Sequence, residues 1–250
     1  MRYYLGGLAA RERNDDSDRH LAFYLTFVAG AVNAGGFMAV QQYTSHMSGI
    51  VSAIADNMVL GNEFLVIIGL SSLASFIAGA ALSAILINWV RRRALESEYA
   101  LPLAVEALLM LMFGVSGLFL TPGASSTILL TISLLCFIMG LQNAIITKLS
   151  GARIRTTHVT GLVTDAGIEI GKLFYRNDPA RPDLAPVIAD RSKLALLLSL
   201  IGLFFSGGIA GALLFSRFGL PVAGLFALPL GLFAYFPLAA DIKQRRARKS

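Results

Sequence analysis

Two short stretches hold most of the residues able to do chemistry. They are Thr44-Ser45-His46-Met47-Ser48-Gly49 and Thr156-Thr157-His158-Val159-Thr160-Gly161. Each reads Thr, hydroxyl, His, apolar, hydroxyl, Gly, and two of the chain's three histidines fall at matching places in them. Histidine titrates near neutral pH, so His46 and His158 suit proton transfer or contact with a polar solute. The hydroxyls of Thr44, Ser48, Thr156 and Thr160 both donate and accept hydrogen bonds. Ser48 and Thr160 are also placed to cap a helix N-terminus, where free N–H groups and the helix dipole favour anions. The competing reading makes both histidines buried groups that satisfy loop backbone at a helix entry. A metal is not expected, since two histidines without cysteines or a carboxylate cluster are an unusual ligand set.

Each stretch follows an apolar segment carrying Gly-x-x-Asn-Ala: Gly30, Asn33 and Ala34 in the first case, Gly140, Asn143 and Ala144 in the second. Asn33 and Asn143 either line the site or hydrogen-bond between helices. Two carboxylates are candidates for proton coupling. Asp56 stands on a short apolar stretch without a basic neighbour. Glu106 lies about one and a half turns inside an apolar segment, with snorkelling toward Arg91-Arg92-Arg93 as its alternative role. Glu169 is expected on a face that touches water.

Composition says what positions these groups. Of 250 residues 56% are hydrophobic and 14% charged, and the mean hydropathy is +0.68. Soluble domains carry roughly a quarter charged residues. Apolar segments at about 21–40, 64–90, 101–120, 128–147, 194–215 and 220–240 are near the ~20 residues a membrane helix needs. The alternating short strands of a membrane barrel are absent. The stretches 48–60 and 160–174 make helices of only ~20 Å, short of the ~30 Å hydrocarbon core. Gly30, Gly35 and Gly36 make the second half of the first segment easy to unwind. Thr121-Pro122-Gly123 breaks the third segment, and the three prolines within 175–193 mark a loop.

Lysine and arginine placement sets the topology. Six crossings put the tail 1–20, the Arg91–Arg93 loop, the 148–193 region and the basic tail 241–250 on the cytoplasmic side. Only Arg217 then falls in the outer loops 41–63, 121–127 and 216–219. An eight-crossing arrangement would send Arg91-Arg92-Arg93 outside and is rejected. The net charge of +6 is thus a topology signal, and no nucleic-acid partner is expected. Cys136, the single cysteine, reads as inert packing. The charged residues before the first segment do not form a cleavable signal.

The halves repeat further. Ile77-Ala78-Gly79-Ala80 in the second segment matches Ile209-Ala210-Gly211-Ala212 in the fifth. With Ser75 and Gly207 these form small-residue packing faces. The expected fold is one membrane domain: an all-α polytopic protein of six transmembrane helices in two repeats, 21–120 and 127–240. Each repeat includes a short re-entrant or interfacial helix. Three crossings per repeat is odd, so the second repeat enters inverted. Such repeats place sites at mid-membrane between the halves.

The chain resembles the YoaK-like bacterial inner-membrane proteins. The resemblance rests on the Gly-x-x-(Asp or Asn)-Ala segments and the Thr-x-His-(Met or Val)-(Ser or Thr)-Gly stretches, and runs from about residue 21 to 240. It implies a six-helix inner-membrane protein and no particular chemistry. Asn33 stands where that pattern also admits Asp, which removes a proton-relay carboxylate there.

No hydrolase, zinc-protease, phosphate-loop or dinucleotide signature occurs, so no cofactor and no catalytic residue is expected. The expectation is a small secondary transporter or channel for a small anionic or polar solute. Its partners are the bilayer and an unidentified solute, with the oligomeric state left open. The alternatives are a membrane scaffold or sensor and an intramembrane enzyme.

Overall fold

The computed structural model describes residues 9, 15–116, 125–149, 157–179 and 183–247. Among them the chain forms α1 (Asp15–Val40), α2 (Met47–Leu60), α3 (Glu63–Arg92), α4 (Ala100–Ser116), α5 (Ser125–Leu149), α6 (Val159–Phe174), α7 (Arg191–Phe218), a 3-10 turn (Leu220–Val222) and α8 (Ala223–Ala247). Among the described residues, every apolar segment expected from hydropathy lies on a helix, the sixth opening with the 3-10 turn. Several helices run past the apolar limits into charged sequence, because Arg and Lys are good helix formers and aspartates suit the first turn of a helix. Thus α1 starts at Asp15, α8 continues to Ala247, and the loop expected through 193 ends at Asp190. Asp190 caps α7 by accepting from the Lys193 N–H at 2.9 Å.

Five helices are long and apolar enough to cross a membrane: α1, α3, α5, α7 and α8. The chain is a multi-pass membrane protein. α4, at 17 residues, spans ~26 Å at 1.5 Å per residue. Residues 117–124, which include the Thr121-Pro122-Gly123 break, lie outside the described residues, as do 150–156.

α1 and α5 are the inner helices, with 50% and 56% of their apolar windows buried; α3 and α7 are outer, with 22% each. Leu70, Ile77 and Ile85 of α3 and Leu198, Phe205 and Leu213 of α7 are exposed. Belts of this kind call for an apolar solvent. The main core cluster joins α1, α4, α5 and α8 through residues such as Leu25, Leu103, Ile138 and Leu230. Each short helix has its own satellite cluster. Ile50 of α2 packs with Ile68 of α3 and with Ile132 and Cys136 of α5, so the cysteine is packing. Leu162 and Ala166 of α6 pack with Leu197 and Leu200 of α7.

The long helices pair α1 with α7, α3 with α5 and α4 with α8, while α2 lies on α3 and α6 on α7. Glycine sets the two closest crossings. A methyl group added at Gly140 would strike the Phe76 carbonyl, and one at Gly79 the Phe137 carbonyl. On the other side, Gly30 faces the Phe204 carbonyl, Gly207 that of Phe27, and Gly211 that of Ala31. Backbone meets backbone at these points, the small-residue contact of membrane helices. The expectation that glycines unwind α1 is therefore corrected. α1 is helical to Val40, with Gly30 admitting α7, Gly35 the Phe215 ring, and Gly36 the Thr44 side chain.

Polar ties close several helix ends. Asp241 of α8 accepts from the Glu96 and Ser97 N–H groups at 2.9 and 3.0 Å, pinning the loop before α4. Arg91 pairs with Glu98 at 2.6 Å. Glu169 is not at the water face expected for it. Its side chain is 1% exposed and pairs with Lys172 at 2.9 Å and Lys193 at 3.5 Å. It also accepts from the Asp190 N–H at 2.9 Å, locking α6 to the start of α7.

The Lys172 hydrogen bond, then the Asp190 N–H, hold the Glu169 carboxyl below its ordinary value of 4.5. A lowered folded pKa contributes stability above the ordinary value, and that contribution is lost as pH falls through the folded value. Thermal unfolding of Glu169→Gln should therefore start from lower stability at neutral pH. It should also lose less than the wild type between pH 5 and pH 3. Parallel pH profiles of the two proteins would remove the latch.

Candidate functional site

The site forms where each inner helix hands over to a short helix. After α1 the chain turns through residues 41–46, with Gln41 at φ 56°, and α2 starts at Met47. The Asn33 Oδ1 on α1 accepts from the Ser45 hydroxyl at 2.9 Å and from the Ser45 N–H at 3.3 Å. In the second half the Asn143 Oδ1 on α5 accepts from the Thr157 hydroxyl at 2.9 Å. Each asparagine thus holds the residue immediately before a histidine. Asn143 is itself oriented, its Nδ2 donating to the Met139 carbonyl at 2.8 Å.

His46 and His158 occupy the N-cap positions of α2 and α6, and neither makes a side-chain cap hydrogen bond. This corrects the expectation for Ser48 and Thr160, which sit one residue inside each helix. Both imidazoles fold over the first turn. Gly49 leaves room for the His46 ring and Gly161 for that of His158, and a Cβ at either glycine would collide with the ring. The final glycine of each stretch is explained by that contact. Both histidines are exposed rather than buried, so they do not serve as satisfied groups inside the protein.

They open onto one cavity of about 1110 Å³. Of the residues expected at the site, His46, His158, Ser48, Thr160, Asn33 and Asn143 line it together. The others do not join them. Thr44 is fully buried behind Gly36, its hydroxyl without a hydrogen-bond partner among the described residues. Thr156 lies outside the described residues. Asp56 is exposed on α2, away from the cavity. Glu106 is fully buried and accepts from the Gln142 Nε2 at 2.7 Å. It does not snorkel to Arg91, whose partner is Glu98.

Among the described residues the lining carries no aspartate or glutamate, while Lys148 is part of it. The Lys148 ammonium donates to the Asn88 Oδ1 at 3.4 Å. Met47, Ser48, Val159 and Thr160, the first-turn residues of both short helices, also line it. First-turn N–H groups have no intrahelical partner, and the helix dipole adds partial positive charge there. The wall therefore offers hydrogen-bond donors and positive charge, with Phe76, Phe204 and Tyr43 as apolar surface. No group of three or more His, Cys, Asp or Glu able to hold a metal occurs among the described residues.

A family model described as "Protein of unknown function (DUF1275)" matches residues 21–236. The chain belongs to the DUF1275 family. The match covers both halves and both histidine stretches, in agreement with the YoaK-like resemblance. No curated protein and no solved structure matches the chain.

In this DUF1275 protein, sequence reasoning missed Ser45, Thr157, Lys148 and Tyr43. The signal for the first two was present. Both stretches have two adjacent hydroxyl residues before the histidine, and the second is the one tied to asparagine. Lys148 reads in the sequence as a topology charge only.

Proposed function

We propose that this DUF1275 protein is a small secondary transporter or channel for a small anionic solute, working in the bacterial inner membrane. The observation that carries the reading is the single cavity. It joins both histidine stretches and is lined by Lys148, hydroxyls and two helix N-termini, with no carboxylate among the described residues. In a partly desolvated site such donors favour an anion.

In this reading six helices cross the membrane as two inverted repeats, and both tails are cytoplasmic. The packing supports it. Exchanging the halves turns the α1–α7 contact into α5–α3 and the α2–α3 contact into α6–α7, while α4–α8 maps onto itself. The Asn33–Ser45 bond likewise maps onto Asn143–Thr157. Transporters built this way bind between the repeats, at discontinuous helices. The cavity counts against a scaffold with a dry centre. The lack of a carboxylate beside either histidine in it counts against an acid–base enzyme.

The test is flux of a panel of small monovalent anions into proteoliposomes. Wild-type protein should take up at least one of them. His46→Ala and His158→Ala should each lose most of that uptake, about tenfold or more if each contributes a charge-assisted contact. The variants should elute as the folded protein does on size exclusion. Undiminished uptake by the folded double variant would remove the histidines from the site.

A further inference from the structure

Outside the cavity, Glu106 of α4 and Gln142 of α5 form a polar pair inside the main core. Both side chains are fully buried. The Gln142 Nε2 donates to the Glu106 Oε1 at 2.7 Å. The other oxygen of each group, Glu106 Oε2 and Gln142 Oε1, has no hydrogen-bond partner among the described residues. With a charged carboxylate both of these oxygens are acceptors only. Two orphaned acceptors and one uncompensated charge, all in the same pair, would be a costly arrangement. A single proton on Oε2 cancels all three: it neutralises the carboxyl and supplies the one donor that the Gln142 Oε1 lacks.

Among the described residues the helices packed around the pair supply no other compensation. α5 carries no charged residue from Ser125 to Thr147, and α8 none from Ala223 to Ala240. From α1 the titratable group facing the pair is Tyr24, whose hydroxyl is committed to the Phe226 carbonyl at 2.9 Å. Within α4, Glu106 is the only charged residue. Packing does not require the pair either: at the place of Gln142 the first half has Val32, which is buried. Gln142 is directly followed by Asn143, which lines the cavity and holds Thr157. A change in the α4–α5 contact is thus one residue away from the site wall.

We propose that Glu106 holds a proton at neutral pH in a reciprocal two-hydrogen-bond pair with Gln142, and that release of this proton to water shifts α5 and with it the cavity wall. This rests on the anion-transport reading only in assigning the proton as the coupling ion. The proton site itself stands on the pair's geometry.

The experiment has two readouts, neither of which needs a known solute. The first is infrared spectroscopy of the purified protein across a pH series. A protonated-carboxyl band should be present at pH 7, absent in Glu106→Gln, and lost from the wild type at alkaline pH. Glu106→Gln keeps a neutral two-bond pair and should melt within a few degrees of wild type. If the wild type shows no band at pH 7 that Glu106→Gln removes, the proton site is overturned.

The second readout is maleimide labelling of Ala144→Cys, on the cavity wall, in a Cys136→Ala background. Its rate divided by that of the same cysteine in a protein also carrying Glu106→Gln, a ratio that cancels the thiol's own titration, should change across the pH range in which the band disappears. A ratio that stays constant across that range would overturn the link to the wall. Failure of anion flux would leave both readouts as they are, so the two readings fail separately.

Discussion

Gly140→Leu should cost the protein its fold, while Gly202→Leu should leave it intact. Both positions are helical glycines in apolar segments, and composition does not separate them. Their surroundings do. Any side chain at Gly140 runs into the Phe76 backbone of α3, while nothing lies within 4 Å of a Cβ at Gly202. Backbone cannot swing aside as a flexible side chain can, so α3 and α5 must part along their whole contact. Overpacking a tight core costs about 1–3 kcal/mol and at times more. Here the loss extends to the contacts on either side of the crossing. At Gly202 the substitution adds a lipid-facing side chain and about 1 kcal/mol of helix propensity. Thermal unfolding in detergent after size exclusion reads both. A Gly140→Leu protein melting with the wild type would mean that the α3–α5 crossing is not a close one.

Lys148→Glu should abolish anion uptake, and Lys148→Gln should weaken it. Lys148 is part of the cavity wall, whereas the corresponding place in the first half holds Met38. Among the described residues, the lining thus carries a lysine from the second half and none from the first. One unit charge at ~6 Å from an anion contributes about 3 kcal/mol at an effective dielectric of 20, and an open, wet cavity screens part of that. Lys148→Gln should therefore raise the half-saturating anion concentration roughly 10–100-fold. The glutamate should repel the anion outright, and Lys148→Arg should keep most of the activity. The difference between wild type and Lys148→Gln should shrink at high ionic strength. Equal half-saturation in wild type and Lys148→Glu would remove the lysine from the site.

The helices were legible in the sequence because hydropathy and length depend on local residues alone. Among the described residues each apolar run lies on a helix, and both short stretches begin theirs within a residue or so of the histidine. What depends on a distant partner was not legible. Gly30 reads as flexible until α7 is seen resting on it. Glu106 and Gln142 are 36 residues apart, and neither carries a mark of the other. In the first stretch, sequence alone does not separate the buried Thr44 from the Ser45 that Asn33 holds. Their directions follow from the irregular backbone of 41–46, where no periodicity operates. At the site, the matching positions of His46 and His158 were enough to bring both to one cavity. The asparagine tie and the role of Lys148 required the fold.

The pairing of the long helices bears on how the protein is made. The glycine faces of α1 and α3 close on α7 and α5, and α4 closes on α8. Each of these contacts joins one half of the chain to the other. In the six-crossing reading, a ribosome that has released only the first half has placed three helices in the bilayer without the surfaces on which they close. Those helices wait as separate inserted units, with Glu106 lacking Gln142, until the second half arrives. Assembly should then be a late event of synthesis, and a truncated first half should be degraded rather than persist as a smaller working protein.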